Sequence, residues 1–273
     1  MTRESPTPDP RVRRSRRVVR GGGFLVLVLV GWELLARSGW VDPVFTGSPS
    51  GVGSALGTLV SDADFWAVHA YATATGFLAG WALAVGVGLP LGLFMGWYGP
   101  VRDLFEPLVM AFYSTPRIAL VPLFVVWFGF GLEYKLVVVF LAAVFPVLLN
   151  TMAGVRAADQ RLVRMSRSFG GSPAQVLRTV VLPGTLPYAL TGVRQSIAHG
   201  LTGVVVGEVF SAGAGVGYLM NQAAQLFRTD TLFAVVVLLA ATATVLNEAM
   251  LRLEARLLRW RPEELSAPRA SSA

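Results

Sequence analysis

Long apolar segments alternate with short polar ones along most of the chain. An uninterrupted run without charged residues extends from Leu136 to Val155, and a second extends from Trp66 to Pro100. An α-helix rises about 1.5 Å per residue, so about 20 apolar residues cross a hydrocarbon layer about 30 Å thick. The segment from Thr231 to Asn247 is a third candidate. The pattern predicts membrane-spanning helices.

Three further apolar segments carry charges, at Glu33, at Arg117, and at Arg194 and Glu208. Charges inside lipid are costly, so each should face protein, water or a pore. We expect Glu208, near the end of its segment, to pair with a neighbouring helix. With these segments counted, the prediction is an all-α polytopic membrane protein with six transmembrane helices, at about residues 22–38, 68–96, 104–129, 135–154, 186–209 and 231–252.

The remaining residues divide into two tails and one loop. Residues 1–20, rich in Pro, Ser and Arg, are predicted to form a disordered basic tail. Residues 21–260 form the predicted membrane domain, which includes a polar loop at 155–184. Residues 261–273 are a second predicted tail.

Charge distribution indicates the orientation. Only 14% of the 273 residues are charged, against about 25% in soluble proteins. The basic residues cluster in the N-terminal tail, between Arg156 and Arg194, and from Arg252 onward. Short cytoplasmic loops are enriched in Lys and Arg, so both termini are predicted to be cytoplasmic in a protein of the cell membrane. The basic clusters have little aromatic interleaving, which argues against nucleic acid as a partner.

Several kinds of chemistry are excluded by the residues available. The chain has no cysteine and only two histidines, His69 and His199, so no metal site or catalytic thiol is expected. We interpret His199 as packed or hydrogen-bonded. The one lysine, Lys135, is not part of a phosphate-binding Gly-rich motif. The chain therefore has no ATPase site of its own, and we predict no catalytic residue and no cofactor.

Two glycine-containing features call for interpretation. Small residues recur at every fourth position of the second span, at Gly76, Gly80, Ala84, Gly88, Gly92 and Gly96. Such a row stays near one face of a helix and favours close helix packing, although glycine is common in this chain, which has 29. The segment from Gly213 to Gly217 is interpreted as a flexible outer loop or re-entrant turn, and a gating hinge is the alternative.

Pro116 and Pro122 lie on either side of Arg117. Proline removes a backbone donor and bends helices, so this helix is predicted to be kinked or partly unwound. Two roles for Arg117 remain open. It could add positive potential to a translocation path, or it could be a structural cation held by carbonyls that the prolines free.

The loop at 155–184 has a distinct internal plan. The segment from Asp159 to Phe169 is predicted to be helical and to end at Gly170–Gly171. Ser172, Pro173 and Gln175 then match a capping box with a first-turn proline. We predict that this second helix ends before Pro183–Gly184.

This loop resembles the coupling loop of permease subunits of bacterial ABC importers. Gly170, nine further residues and Val180-Val181-Leu182-Pro183 are similar to the second half of that family's motif. The first half differs, because Arg164, Met165 and Ser166 stand where the motif has Glu, Ala and Ala. The nitrate/sulfonate/taurine type of permease is similar at further segments: Trp32–Leu35, Ser48–Ser50, Ser114–Gly129, Phe145–Thr151 and Arg167–Gly170.

The resemblance implies a type I, MetI-like permease fold and several partners. These are a second permease chain in a homodimer, cytoplasmic ATP-binding subunits and an extracytoplasmic solute-binding protein. It implies that the loop docks on the ATPase, and the residues concerned are Arg164, Ser168, Phe169, Gly170, Val180, Leu182 and Pro183. As an individual residue, Arg164 is interpreted as an ordinary solvated side chain.

The resemblance also implies import of a small anionic solute of the nitrate, sulfonate or taurine class. Two alternatives are a pyrimidine or thiamine precursor carried by the same machinery and a secondary transporter. A secondary transporter would be expected to show internal repeats and a charge network within its spans. On the anion interpretation, the candidates for the translocation path are Arg117, Pro116 and Pro122.

Overall fold

The computed structural model describes residues 10–210 and 213–260, and this part of the chain is helical with no strand. The helices are α1 (Pro10–Arg37), α2 (Pro43–Thr46), α3 (Pro49–Ser61), α4 (Tyr71–Trp97), α5 (Gly99–Ser114), α6 (Val121–Phe128), α7 (Leu132–Arg156), α8 (Gln160–Ser168), α9 (Pro173–Val176), α10 (Leu182–Val209), α11 (Val216–Gln225) and α12 (Thr229–Leu257). The all-α prediction is confirmed.

Three short segments of other helical types connect these elements. A π-helical turn, Phe65–Ala70, leads into α4, and a second, Leu177–Val181, joins α9 to α10. A 3₁₀ turn, Arg117–Leu120, precedes α6.

Four helical segments in the described ranges are long and apolar enough to cross a bilayer. They are Phe65–Trp97, Leu132–Arg156, Pro173–Val209 and Thr229–Leu257. The pair formed by Gly99–Ser114 and Arg117–Phe128 is a fifth if a segment bent by 84° counts as one span. Helix α1 corresponds to the first predicted span, and the count of six stays a prediction.

Helix α7 lies at the centre, with the small residues of α4 against it. Gly76 lies beside Lys135 and Gly96 beside Val155, so the two helices run in the same direction. A Cβ added at Gly80 would lie 2.6 Å from Val139 Cβ, and one added at Gly92 would lie 2.6 Å from the carbonyl oxygen of Leu148. Only glycine allows the two backbones to approach this closely.

Helix α10 covers another flank of α7 in the same way. A Cβ at Gly192 would lie 2.7 Å from the carbonyl oxygen of Pro146, and one at Gly203 would lie 2.8 Å from Ala142 Cβ. Between these two, Gly200 faces Phe77 of α4. The three helices α4, α7 and α10 therefore form one closely packed core.

Helix α1 begins earlier than the sequence predicts. Its first residue is Pro10, whereas disorder was expected up to residue 20. Extending an existing helix adds one hydrogen bond per residue ordered, without the cost of a new nucleus. Residues 1–9 and 261–273, which include the rest of the predicted tails, lie outside the described residues.

The prediction that Pro183–Gly184 ends a helix is wrong. Pro173–Val209 is continuous through the π-helical turn, and Pro183 lies in the first turn of α10. Proline is tolerated in a first turn, where its missing N–H is not required. In the π-helical turn Leu177–Val181 each backbone hydrogen bond spans five residues instead of four. The helix therefore continues in the same direction, and Pro183 lies in the first turn of α10.

Replacement of Gly92 by alanine should destabilise the protein. The new Cβ would meet the backbone of α7, which cannot move aside as a side chain would, and overpacking of this kind costs about 1–3 kcal/mol. The matched control is Gly86→Ala in the same helix, where a Cβ meets nothing within 4 Å. We expect a lower unfolding temperature in detergent for Gly92→Ala than for Gly86→Ala, and equal temperatures would contradict the packing described.

Candidate functional site

The helix containing Arg117 is broken, as the flanking prolines predict. Helix α5 ends with Thr115 as its C-cap, and the chain turns through Pro116 and the 3₁₀ segment before α6 starts at Val121. Pro122 lies in the first turn of α6. The axes of the two halves differ by 84°. This break, which we call the α5–α6 break, presents Arg117 to the neighbouring helices.

Arg117 is held by groups on two helices. Its Nη1 donates a hydrogen bond of 3.1 Å to the carbonyl oxygen of Leu141 in α7. The guanidinium carbon lies 5.5 Å from the ring centroid of Tyr113 and 5.1 Å from that of Phe145, which are cation–π distances. The carbonyl that binds Arg117 therefore belongs to α7 and not to backbone freed by Pro116 and Pro122.

Arg117 also lines a cavity of about 500 Å³, which we call the Arg117 cavity. This volume lies within the range of about 300–1,000 Å³ typical of small-molecule sites. Pro116 is part of its wall and Pro122 is not. The lining residues are Thr115, Pro116, Arg117, Ile118, Phe124, Val138, Leu141, Ala142, Ala198, His199, Thr202, Gly203 and Val206. The cavity therefore lies between the α5–α6 break, α7 and α10.

The other polar side chains of the Arg117 cavity bond to their own helices. Thr115 Oγ1 donates to the carbonyl oxygen of Ala111 at 2.8 Å, and Thr202 Oγ1 donates to that of Ala198 at 3.0 Å. His199 Nδ1 lies 3.0 Å from the carbonyl oxygen of Gln195. Because a carbonyl can only accept, Nδ1 carries the proton. The expectation that His199 is hydrogen-bonded is confirmed.

A buried ion pair joins three helices at the end of the core opposite α8. Glu208 of α10 is fully buried, and its Oε1 lies 3.2 Å from Lys135 Nζ at the start of α7. Thr73 of α4 donates to both carboxylate oxygens, at 2.9 and 2.8 Å. Pairing of Glu208 with a neighbouring helix is confirmed.

The segment from Gly213 to Gly217 closes over this ion pair. The backbone N–H of Gly217 donates to Glu208 Oε2 at 2.9 Å, and Lys135 Nζ donates to the carbonyl oxygen of Ala214 at 3.2 Å. Gly215 has a φ of +125°, and a Cβ there would overlap the Glu208 carboxylate. The segment is therefore packed against the buried ion pair. Its glycine content alone does not predict this packing.

Sequence reasoning did not identify Lys135 as the partner of Glu208. The available signal was one lysine near the start of an apolar segment and one glutamate near the end of another. Opposite charges inside lipid are expected to pair, but the sequence does not show which helices are neighbours.

Helix α8 and its flanking turns have the predicted plan. Asp159 caps the helix, and its carboxylate accepts from the N–H of Arg161 at 2.8 Å. After the C-cap, Gly170 N–H donates to Arg167 and Gly171 N–H to Ser166, which is a Schellman motif. Gly170 has a φ of +80°, so this turn requires the left-handed conformation that glycine adopts readily.

The next turn contains the predicted capping box. Ser172 Oγ accepts from the backbone N–H of Gln175, and the Gln175 side chain accepts from the backbone N–H of Ser172. The loop therefore consists of one short helix, α8, and the capped start of the long helical segment Pro173–Val209.

The residues expected to contact an ATPase fall into two groups. Arg164, Ser168, Phe169 and Gly170 are exposed, and Phe169 is the most open, at 85%. The half-buried members are Val180, Leu182 and Pro183. Val180 packs against a buried cluster that contains Val155, Val163, Val176 and Val181. The first group is therefore the more exposed of the two.

Residues 88–259, more than half of the chain, match the protein family described as binding-protein-dependent transport system inner membrane component. The chain belongs to this family. It is therefore a permease component of an ABC importer, and the membrane is where its apolar helices lie.

Curated relatives of this permease include proteins named for two kinds of solute. The taurine transport system permease protein of Escherichia coli (strain K12) is 33% identical over 254 residues, which cover 91% of this chain and 92% of the relative. The formylaminopyrimidine transport permease protein of Halalkalibacterium halodurans is 29% identical over 253 residues, with 93% and 100% covered.

The permease also has the fold of a solved importer. A chain of the MetNI methionine ABC transporter in an inward-facing conformation superposes with a TM-score of 0.61 at 21% identity, covering 68% of this chain and 93% of that one. The MetI-like fold prediction is confirmed.

Separate loss of either charge at the ion pair should destabilise the permease more than loss of both. Lys135→Met or Glu208→Gln leaves a buried charge without its partner, which costs about 3–5 kcal/mol. The double variant should recover part of this loss, because it leaves no unpaired charge in the buried site. The measurement is the free energy of unfolding of the four proteins in a double-mutant cycle.

A surface pair supplies the control for this cycle. Arg252 and Glu248 form an exposed i,i+4 ion pair at 3.2 Å, and such pairs contribute about 0–1 kcal/mol. The coupling energy of the control pair is measured with Arg252→Met and Glu248→Gln. If the coupling energy between Lys135 and Glu208 is no larger than this, the structural role of the buried pair is contradicted.

Proposed function

We propose that this permease forms the membrane path of an ATP-driven importer for a small organic sulfonate and that the Arg117 cavity is part of this path. The observation that carries the proposal is a guanidinium in the wall of a cavity between membrane-spanning helices. Arginine presents several N–H donors in a planar fork, which suits oxyanions. The similarity to a taurine permease supports a sulfonate as the anion.

The surface around Phe169 is the proposed contact with the ATP-hydrolysing subunits. Phe169 is an aromatic side chain exposed beside basic residues, and Leu162 and Met165 of α8 are also exposed. Exposed aromatic residues of this kind are frequent centres of protein interfaces. The chain has no phosphate-binding motif, so ATP hydrolysis belongs to partner subunits. This end of the core, and both termini, then face the cytoplasm.

The solute-binding protein would act at the opposite end, near Lys135 and Glu208. Released solute would pass from there toward the Arg117 cavity. The cavity is open to the surface of the chain, since Ile118 and Thr202 on its wall are exposed. A second copy of the permease facing this side would complete the path, which agrees with the homodimer expected from the sequence.

A pyrimidine precursor is the second candidate solute, supported by the formylaminopyrimidine permease among the relatives. The apolar wall of the cavity, which includes Phe124 and Val138, would suit a heteroaromatic ring. A neutral ring would leave Arg117 without an anionic partner. The charge in the cavity therefore favours the sulfonate.

The proposal predicts that solute uptake depends on the charge of Arg117. The permease, its ATPase and its binding protein are co-expressed in cells that lack other taurine importers, and uptake of labelled taurine is measured. Arg117→Gln should lower uptake more than tenfold, about 1.4 kcal/mol or more. Arg117→Lys should retain an intermediate rate, because it keeps the charge and loses the planar fork.

The abundance of each variant in the membrane separates transport from folding. The path interpretation requires abundance to stay near that of the natural protein while uptake falls. If abundance and uptake fall together in both variants, Arg117 is a structural cation. If the natural complex accumulates the pyrimidine and not taurine, the sulfonate proposal is wrong.

A further inference from the structure

Another polar cavity lies at the end of the core beside α8. Its volume is about 300 Å³, at the lower end of the range typical of small-molecule sites. The last turns of α4 and α7, helix α8 and the π-helical turn before α10 form its wall. The polar side chains on this wall are those of Arg156, Gln160 and Arg167. We call it the Arg156 cavity.

The two arginines of the Arg156 cavity have no acidic neighbour on its wall. In the ranges that the structure describes, no carboxylate lines this cavity, and no ion pair includes Arg156 or Arg167. Arg102, at the start of α5, differs because it lies beside Asp103 and Glu106. A guanidinium has five N–H donors in a planar fork, which suits phosphate oxygens. The wall therefore offers paired donors to an anion.

Aromatic side chains place this cavity at the level of lipid headgroups. Trp97, at the end of α4, is part of its wall. Phe94 and Tyr98, in the same turn, are exposed, and their ring centroids are 6.3 Å apart. Tryptophan and tyrosine are enriched at the interface between membrane and water. Arg156 is the last residue of the membrane-spanning segment Leu132–Arg156, so its guanidinium lies near the phosphate groups of one leaflet.

Helix α8 separates the Arg156 cavity from the surface proposed for the ATPase. Val163 and Arg167 line the cavity, and residues four positions apart share one face of a helix. Leu162 and Met165 are exposed, and at about 100° per residue they lie on the roughly opposite face. The cavity is therefore on the side of α8 that faces the membrane helices.

We infer that the Arg156 cavity binds the headgroup of an anionic phospholipid of the phosphatidylglycerol class, and that Arg156 and Arg167 donate to its phosphate oxygens. Basic pockets between membrane helices recognise lipid headgroups in this way. Phosphatidylethanolamine has the same phosphate but adds an ammonium group, and the described part of the wall has no carboxylate to pair with it. The bound lipid connects the end of α7 to α8, whatever solute is transported.

The test measures phosphatidylglycerol bound to the full-length permease in detergent, by native mass spectrometry over a lipid titration. The cavity variant is Arg156→Gln with Arg167→Gln. The control variant is Arg161→Gln with Arg178→Gln, which removes two exposed arginines of the same loop outside the cavity wall. Both variants lose the same charge, so general attraction to anionic lipid falls equally in the two. Retention of the ATPase subunit is measured in parallel.

We expect the cavity variant to bind phosphatidylglycerol about tenfold or more weakly than the natural protein, and the control variant to stay within about threefold. Arg156→Lys with Arg167→Lys should be intermediate, because it keeps the charge and loses the planar fork. Phosphatidylethanolamine should bind the natural protein no better than phosphatidylglycerol binds the cavity variant. If the double variant cannot be purified, the two single glutamine substitutions carry the test.

Two results overturn the inference. One is a cavity variant that binds phosphatidylglycerol as tightly as the control variant does. Weaker retention of the ATPase by that cavity variant would then assign the two arginines to the partner subunit. The other is displacement of the lipid by an equal concentration of glycerophosphoglycerol, which is the same headgroup without acyl chains. The site would in that case take soluble phosphate esters and not a membrane lipid.

Discussion

The close contact of α7 with the glycines of α4 and α10 is the constraint on which the rest of the structure depends. Helices in lipid gain little from hydrophobicity, so dispersion contacts at short range hold them together. Gly92 and Gly192 each bring a neighbouring helix against the backbone of α7. At one end of this core, Lys135 and Glu208 add a charged contact that is costly to break in a medium of low dielectric constant.

This core connects the two surfaces to which the proposed function assigns the ATPase contact and the solute path. The segment Pro173–Val209 is one continuous helix of 37 residues, about 55 Å long at 1.5 Å per residue. It starts beside the exposed Phe169, passes His199 in the cavity and ends at the buried Glu208. A displacement of the α8 end therefore moves α10 as a whole, and the packed glycines require α4 and α7 to follow. Under the proposed function, rigid-body movement of the core is the expected response when a partner subunit binds ATP.

Features with a local or periodic cause could be predicted from the sequence. The small-residue row, the capping box at Ser172 and the break at Pro116 each follow from residues close together in the chain. Contacts between distant residues could not be predicted, such as Arg117 with the carbonyl of Leu141 or Lys135 with Glu208. They depend on helix neighbours and rotations, which hydropathy does not specify. The prediction at Pro183 failed for a different reason. The π-helical turn Leu177–Val181 does not change the pattern of apolar and polar residues, so the sequence did not indicate that the helix continues through it.

The most direct test of the central claim, that solute passes through the Arg117 cavity, uses the absence of cysteine from the chain. Thr202 lines the cavity and is exposed, whereas Thr244 of α12 is exposed outside it. In the reconstituted complex, the rate of modification by a sulfonate-bearing methanethiosulfonate reagent is measured for Thr202→Cys and Thr244→Cys. The account predicts that taurine slows modification at position 202 and not at 244. Modification at position 202 that is unaffected by taurine, in a complex that still transports it, would contradict the account.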